Sequence, residues 1–462
     1  MAFSRRSMPL STRQPKLRMK PSAGHGNLLV LSLLTLIVGV LSGFVGAIFR
    51  LALAAADRFR GAAIIWAHED KLVGFLFILG SCAAAVALAA WLVRRFSPYA
   101  SGSGIPQVEA ILKDELPPPP PRLLLVKFFG GLLAIGSGLA LGREGPGVQM
   151  GAAIAHVVGR LSRRNWLDCK VLIAAGAGAG LATAFNAPIA GAVFVLEELV
   201  RRFETRTAIA ALGASAAAIA VARVFLGATP DFVVAPLTYV GVRAWLLFAA
   251  LGAVAGLAGT LYNAALLYAL RATDRLARWP VEIRGAVIGA SVGALGWFLP
   301  DLVGGGDDIT QRVLAGGISL AFLPLAFLLR FGLGAVSYAA ATPGGLFAPI
   351  LVLGAQLGLL VGALCVVAFP DMGLEPRAFA VAGMAAFFTG VVQAPITGII
   401  LVTEMTASFP VLLPMISACF AAMLVPNLLG ATPIYDSLGA RFPRLQRPEE
   451  SVTDIGRQDD IH

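Results

Sequence analysis

Residues 123–159 read LLLVKFFGGLLAIGSGLALGREGPGVQMGAAIAHVVG. Two apolar runs, 123–141 and 147–159, flank the charged break Gly142-Arg143-Glu144-Gly145-Pro146, so both charges fall near or within a membrane. Helices as short as these are tolerated in a bilayer only where their ends are buried in protein or line a polar cavity. The rest of the chain is as apolar. Of 462 residues, 58% are hydrophobic and 13% charged, against about 25% charged in a typical soluble protein. Mean hydropathy is +0.81. Charge-free stretches recur at 72–93, 171–196, 244–270, 331–370 and 405–435, and several exceed the roughly 20 residues a spanning helix needs. The chain is therefore expected to be an all-α polytopic membrane protein. A soluble enzyme, a nucleic-acid binder and a secreted disulfide scaffold are excluded. So is a transmembrane β-barrel, whose strands would be short, alternating and less apolar.

The net charge of +10 fits a membrane orientation signal better than a nucleic-acid partner. Residues 1–26 carry Arg5, Arg6, Arg13, Lys16, Arg18 and Lys20 and no acid, which predicts a cytoplasmic N-terminal tail. No signal peptide is expected, because the first apolar run starts only at Asn27 and no small-residue cleavage site precedes a soluble domain. Arg94/Arg95, Arg160/Arg163/Arg164 and Arg201/Arg202 are further candidate cytoplasmic anchors. The cysteines Cys82, Cys169, Cys365 and Cys419 are scattered without metal or disulfide spacing.

The tail 1–26 is followed by a transport domain over 27–440 and a short polar tail over 441–462. Residues 27–56 and 72–93 read as long helices joined by a polar connection, Arg58–Lys71. Residues 97–122 form a Gly/Ser-containing stretch ending in Pro117–Pro121, which cannot be helix interior. Beyond it, short apolar segments are separated by Gly, Pro or Asn. An internal repeat is visible: Asn186-Ala-Pro-Ile-Ala-Gly191 matches Gln393-Ala-Pro-Ile-Thr-Gly398. Glu197 and Glu404 each lie nine residues after the proline, and Gly-rich breaks ending at Pro146 and Pro349 precede the two prolines by 42 and 46 residues. Two halves, roughly 27–227 and 241–440, with interrupted helices at matching positions point to a transporter site at their interface.

An intramembrane carboxylate is a functional candidate by default. Pro146 suits the first turn of a new helix, placing Glu144 just ahead of a helix N-terminus, whose free N–H groups favour negative charge. A carboxylate there can mimic and compete with a bound anion, and protonation would remove the competitor. The alternative is an Arg143–Glu144 pair bridging helix ends. Ser101-Gly-Ser-Gly-Ile-Pro106 repeats the design, offering the Ser103 hydroxyl and the N–H groups around Gly104 and Ile105. Gly345-Leu-Phe-Ala-Pro349 is a third such break, with Phe347 as an apolar wall. Three positive helix ends favour an anion over a cation. Glu197 aligns with Glu404 and belongs to a shared scaffold. Glu198 aligns with Met405 and is peculiar to the first half, either a proton acceptor near the aqueous edge or a salt-bridge partner of Arg201/Arg202. His156 reads as packed in its apolar run, with a proton relay as the other reading.

Gly-Ser-Gly-Ile-Pro at 102–106, Gly-Arg-Glu-Gly-Pro at 142–146, Gly-Leu-Phe-Ala-Pro at 345–349 and Tyr435 in Pro-Ile-Tyr-Asp together resemble the signature set of the CLC chloride channel/transporter family. The resemblance covers about 30–440 and keeps the family's order. It implies a CLC-like inverted repeat of broken and tilted helices, a homodimer with one anion pathway per subunit, and both termini cytoplasmic. It also implies that Ser103 and Tyr435 coordinate the anion, with backbone N–H groups of Leu346 and Phe347. Glu144 would be the external gating and proton-transfer glutamate, and Glu198 the internal proton-transfer glutamate of exchangers. Serine at 103 resembles chloride-type rather than nitrate-preferring members, and Ser103 with Tyr435 argues against fluoride. Gln107 replaces a common acid, and Arg143 the usual lysine of its motif. The chain ends soon after Tyr435, so paired regulatory (CBS) domains are not expected, and the compact size resembles prokaryotic members.

The expected function is exchange of chloride for protons in a bacterial inner membrane, with bromide or nitrate as further anions. A passive chloride channel on the same fold is the alternative. Enzyme activity, a cofactor and a metal are not expected. Gly136–Gly142 lacks the βαβ context of a dinucleotide loop, and His68-Glu69-Asp70 lacks the second histidine of a zinc helix.

Overall fold

A computed structural model describes residues 28–237 and 241–442. The basic tail 1–26 and residues 443–462 of the polar C-terminal tail lie outside the described residues. The first half runs α1 Leu28–Ala67, α2 Lys71–Phe96, α3 Ile105–Leu112, α4 Arg122–Gly136, α5 Glu144–Leu161, α6 Trp166–Phe185, α7 Pro188–Phe194 and α8 Thr205–Leu226. A π-helical turn, Val195–Leu199, continues α7. The second half runs α9 Trp245–Arg275, α10 Val281–Phe298, α11 Asp307–Leu314, α12 Leu323–Tyr338, α13 Phe347–Ala368, α14 Pro376–Val392, α15 Pro395–Thr406 and α16 Leu412–Leu428, with α17 Ile434–Gly439 after it. Among the described residues, eight helices are long and apolar enough to cross a membrane. Extended pairing among them is confined to two isolated bridges, Gly102 with Pro343 and Gly142 with Gly345.

The halves match helix for helix. α1 packs on α8 as α9 packs on α16, and α5 on α6 as α13 on α14. The contacts between halves are reciprocal. Glu197 accepts from the N–H groups of Ile396 and Thr397 at the start of α15, at 3.0 and 2.6 Å. Glu404 accepts from Ile189 and Ala190 at the start of α7, at 3.1 and 2.8 Å. Gly142 N–H donates to Gly345 O at 2.9 Å and Gly345 N–H to Gly142 O at 2.7 Å. Such self-complementary exchange is what a two-fold relation between equivalent surfaces produces. The shared scaffold role read for Glu197 and Glu404 is thus a mutual helix cap.

Small residues decide where the core sits. α5 and α6 cross where a Cβ on Gly147 would lie 2.9 Å from Gly180 O, and Gly151 meets Gly176 closer still. Such contacts bring backbones together without a hydrophobic driving force, which lipid does not provide. α5, α6, α13 and α14 are buried on nearly every face. α1, α2, α9 and α16 instead expose large apolar side chains such as Leu33, Phe77, Leu261 and Phe420, as a lipid-facing layer must.

One local expectation is corrected. The connection read at Arg58–Lys71 is largely helical, since α1 continues to Ala67. Arg60 pairs with Asp57 at 2.6 Å and donates to Gly136 O at 3.0 Å, while Ile64 and Ala67 are buried. The stretch 97–122 contains α3, an eight-residue helix opened by Gly104 in the left-handed region (φ +89) and Pro106 in the first turn.

Candidate functional site

α5 and α13 start facing each other. Glu144 is the first residue of α5 and Phe347 the first of α13, so the carboxylate sits at the helix start rather than just ahead of it. Glu144 is fully buried, and its Oε1 accepts from the Phe347 N–H at 2.6 Å. A carboxylate at a helix N-terminus satisfies an otherwise orphaned donor and opposes the positive end of the dipole. The seat exists because Gly142 and Gly345 lack side chains: a Cβ on either would collide with the Glu144 carboxylate. The other carboxylate oxygen, Oε2, has no protein partner.

The two hydroxyls implied by the resemblance lie close to this seat. Ser103 and Tyr435 are fully buried, and neither hydroxyl has a hydrogen-bond partner within normal geometry among the described residues. The Tyr435 hydroxyl neighbours the Ser103 side chain and lies within electrostatic reach of Glu144 and Glu198. A Cβ on Gly145 would lie 2.7 Å from Ser103 Oγ, so the start of α5 also packs against this serine. The Phe347 ring walls the region, with ring centroids 4.7 Å from Phe388, 5.7 Å from Phe194 and 6.0 Å from Tyr435. Leu346, beside it, is fully buried as the residue capping α13. Gly104 caps α3 and Ile105 is its first residue. The Ser103 N–H donates to Tyr338 OH at 3.2 Å. Buried donors and orphaned hydroxyls without a full countercharge can hold an anion that must leave again.

Glu198 lies apart, on the π-helical turn, and is 4% exposed. Arg201 approaches its Oε1 at 3.3 Å. Glu198 is thus a buried carboxylate with Arg201 as its salt-bridge partner. A cavity of about 410 Å³ adjoins it, lined by Glu197, Arg201, Arg202, Phe203, Gln393 and Met423 among others.

A family model described as voltage gated chloride channel matches residues 84–427. The chain belongs to this family. It is 38% identical over 439 residues to the H(+)/Cl(-) exchange transporter ClcA of Cronobacter sakazakii, a match covering 93% of each chain. It is 37% identical over 437 residues to the ClcA of Vibrio cholerae, covering 90% of each. The crystal structure of a slow cyanobacterial Cl-/H+ antiporter is similar at a TM-score of 0.85 and 33% identity, covering 89% of this chain and 97% of that one. The chain is thus a multi-pass integral membrane protein with the CLC inverted repeat of broken, tilted helices.

In this family member a charged cavity of about 440 Å³ adjoins the start of α5, lined by Arg50, Asp57, Arg60, Arg143, Asp307 and Arg312 among others. Arg143 does not pair with Glu144. It donates to Ala184 O at 2.8 Å and Asp231 at 3.0 Å, and it is paired with Asp307. Arg50 holds the other oxygen of Asp231 at 2.8 Å. The linker between the halves is thereby tied to the residue preceding Glu144.

Several of these partners escaped the sequence reading. Lys127 is fully buried and donates to Gly102 O at 2.6 Å, fixing the loop that presents Ser103. Arg330, at a comparable place in α12, donates to the carbonyls of Leu302, Gly304 and Gly305 ahead of α11. A lone cation inside an apolar run was the signal for both. Asp231, Asp307 and Asp436 gave no signal of their partners, since each lies beside a Pro- or Gly-containing turn. His156 donates from Nδ1 to Pro119 O, 3.0 Å away, as a packed histidine does.

Proposed function

We propose that the chain exchanges chloride for protons across a bacterial inner membrane, as a homodimer with both termini cytoplasmic and one pathway per subunit. The observation that carries this reading is the Glu144 carboxylate bound to the Phe347 N–H at 2.6 Å. It is an anion supplied by the protein, on a helix N-terminus suited to an anion. Chloride and this carboxylate compete for one seat. Protonation neutralises the competitor, frees the amide and admits chloride, so anion movement and proton uptake share one residue. Close to the seat, Ser103 and Tyr435 offer hydroxyl donors to the anion, with the Leu346 and Phe347 amides and with Gly104 and Ile105 at the start of α3. Glu198 relays the proton between Glu144 and the cytoplasm along a branch separate from the anion's exit. The names of relatives sharing more than a third of their residues with this chain support the same chemistry.

Purified protein in liposomes under a chloride gradient tests the reading, with chloride and external pH recorded together. Chloride efflux that drives protons uphill, and loses that coupling in Glu198→Gln, is the expected result. Chloride flux without proton movement would make the protein a channel. Absence of chloride flux would remove the reading altogether.

A further inference from the structure

A single guanidinium joins the three short elements that carry the proposed anion and proton residues. Arg201 follows the π-helical turn holding Glu198, α17 carries Tyr435, and α3 follows directly on Ser103. Arg201 clasps Asp436, the neighbour of Tyr435, with both arms: Nη1 lies 3.0 Å from Oδ2 and Nη2 lies 2.7 Å from Oδ1. The same Nη2 lies 3.3 Å from Glu198 and 3.5 Å from Glu109 of α3, and Nε donates to the Glu198 carbonyl at 3.2 Å. Glu109 takes a second cation from Lys113 at 2.6 Å. A two-armed guanidinium–carboxylate bond fixes geometry as well as charge.

Helices of six and eight residues hold little structure alone. The spacing of the Tyr435 and Ser103 hydroxyls therefore depends on what ties α17 to α3, which pack together. Arg201 is the polar tie. Its φ of +54 is a left-handed conformation that a non-glycine residue keeps only where its surroundings over-determine it. The Glu198 and Glu109 side chains are 5% and 6% exposed, beneath a guanidinium that is 36% exposed.

We propose that Arg201 is a positioning residue that links the proton branch to the anion branch. By holding Asp436, Glu109 and Glu198 at once, it sets Tyr435 opposite Ser103 and makes that constriction answer to the charge on Glu198. The inference rests on the roles proposed above for Glu198 and Tyr435. Three carboxylates face the cations of Arg201 and Lys113, a net charge of minus one that a proton on Glu198 cancels. Glu197 alongside is committed to capping α15, and Arg202 lines the adjoining cavity. With Glu198 protonated, the guanidinium is left to Asp436 and Glu109, and α17 tightens on α3. Chloride is then held back while the proton is loaded.

The test uses the full chain in liposomes, recording chloride and protons together. Arg201→Gln and Asp436→Asn are expected to keep uphill proton movement but to pass about two- to fivefold more chloride per proton, the range one partly exposed ion pair commands. The double variant should go no further than either single one. A wild-type ratio in both single variants, or additive effects in the double, overturns the link. Arg201→Lys keeps the charge and loses the fork. A raised ratio there supports positioning, whereas a wild-type ratio assigns the effect to charge alone and overturns it. Glu198→Gln, run alongside, should abolish proton movement; if it still pumps protons, the underlying reading fails, whatever the Arg201 variants do.

Discussion

Gly345→Ala isolates the seat of the Glu144 carboxylate. Gly345 does not occupy the left-handed region, so alanine meets no backbone objection there. Its added Cβ would lie 2.7 Å from Glu144 Cδ and 2.8 Å from Gly145 N, and closer still to Oε1. Those separations are well inside ordinary contact: the carboxylate is the part free to move, and the contact with Gly145 N obliges the start of α5 to shift as well. Leaving the seat forfeits a charge-assisted hydrogen bond worth about 1.5–3 kcal/mol. At about 1.4 kcal/mol per factor of ten, occupancy of the seat falls roughly ten- to hundredfold or somewhat beyond. In the wild type, chloride flux from liposomes should rise as external pH falls, because protonation unseats Glu144. In Gly345→Ala the residue is already unseated, so the ratio of acid to neutral flux should flatten by about tenfold, the lower bound of that bond's worth. Gly305→Ala serves as the comparison, since its Cβ would meet only Leu141 O at 3.5 Å. An unchanged pH profile in Gly345→Ala, with chloride flux intact, would refute the idea that the seated carboxylate is the gate.

Other consequences follow from the same contacts. Asp231→Asn weakens the bonds to Arg50 and Arg143, whose side chains are 17% and 16% exposed against 6% for Asp231; the loss should be about 3 kcal/mol, the low end for a buried pair, read as a lower melting temperature in detergent. Lys127→Met leaves the Gly102 carbonyl with only the Gly344 N–H at 3.2 Å, and the loss of a charge-assisted hydrogen bond worth about 1.5–3 kcal/mol should surface as weaker chloride binding by calorimetry; an unchanged affinity would detach Lys127 from the anion site. Glu197→Gln and Glu404→Gln each weaken one of the reciprocal caps, so thermal unfolding should show a loss of about 1 kcal/mol in each, the larger in Glu197→Gln because Glu197 also accepts from the Thr397 hydroxyl at 2.6 Å; no loss in either variant would speak against the capping role.

What the sequence made legible was local. Glu144 announced itself because a carboxylate in an apolar run is costly wherever the chain goes next, and Gly-Pro beside it marks a helix start whatever packs around it. The repeat was legible because the break, the Ala-Pro and the acid nine residues later recur together around Pro188 and Pro395. The partner of each such residue was not legible. Glu144 finds its donor 203 residues away, Arg143 finds Asp231 at a separation of 88 and Asp307 at 164, and Arg201 finds Asp436 at 235. No periodicity or spacing reaches so far, and aspartates beside Pro- or Gly-containing turns look like ordinary surface. The extension of α1 to Ala67 was missed for the same reason, because Arg60 is held by a carbonyl of α4 that the local pattern does not contain.

These long separations have a mechanical meaning. The carboxylate that blocks the seat comes from the first half, and the amide it blocks comes from the second. Of the two hydroxyls nearby, one precedes α3 in the first half and the other belongs to α17, at the end of the second. Neither half alone contains the proposed gate; each contributes a helix start whose partner lies in the other. The reciprocal glycine bridge between Gly142 and Gly345 therefore matters beyond its two hydrogen bonds. It pins the two helix starts together around the Glu144 carboxylate, so a small shift between the halves changes the proposed seat rather than a distant surface.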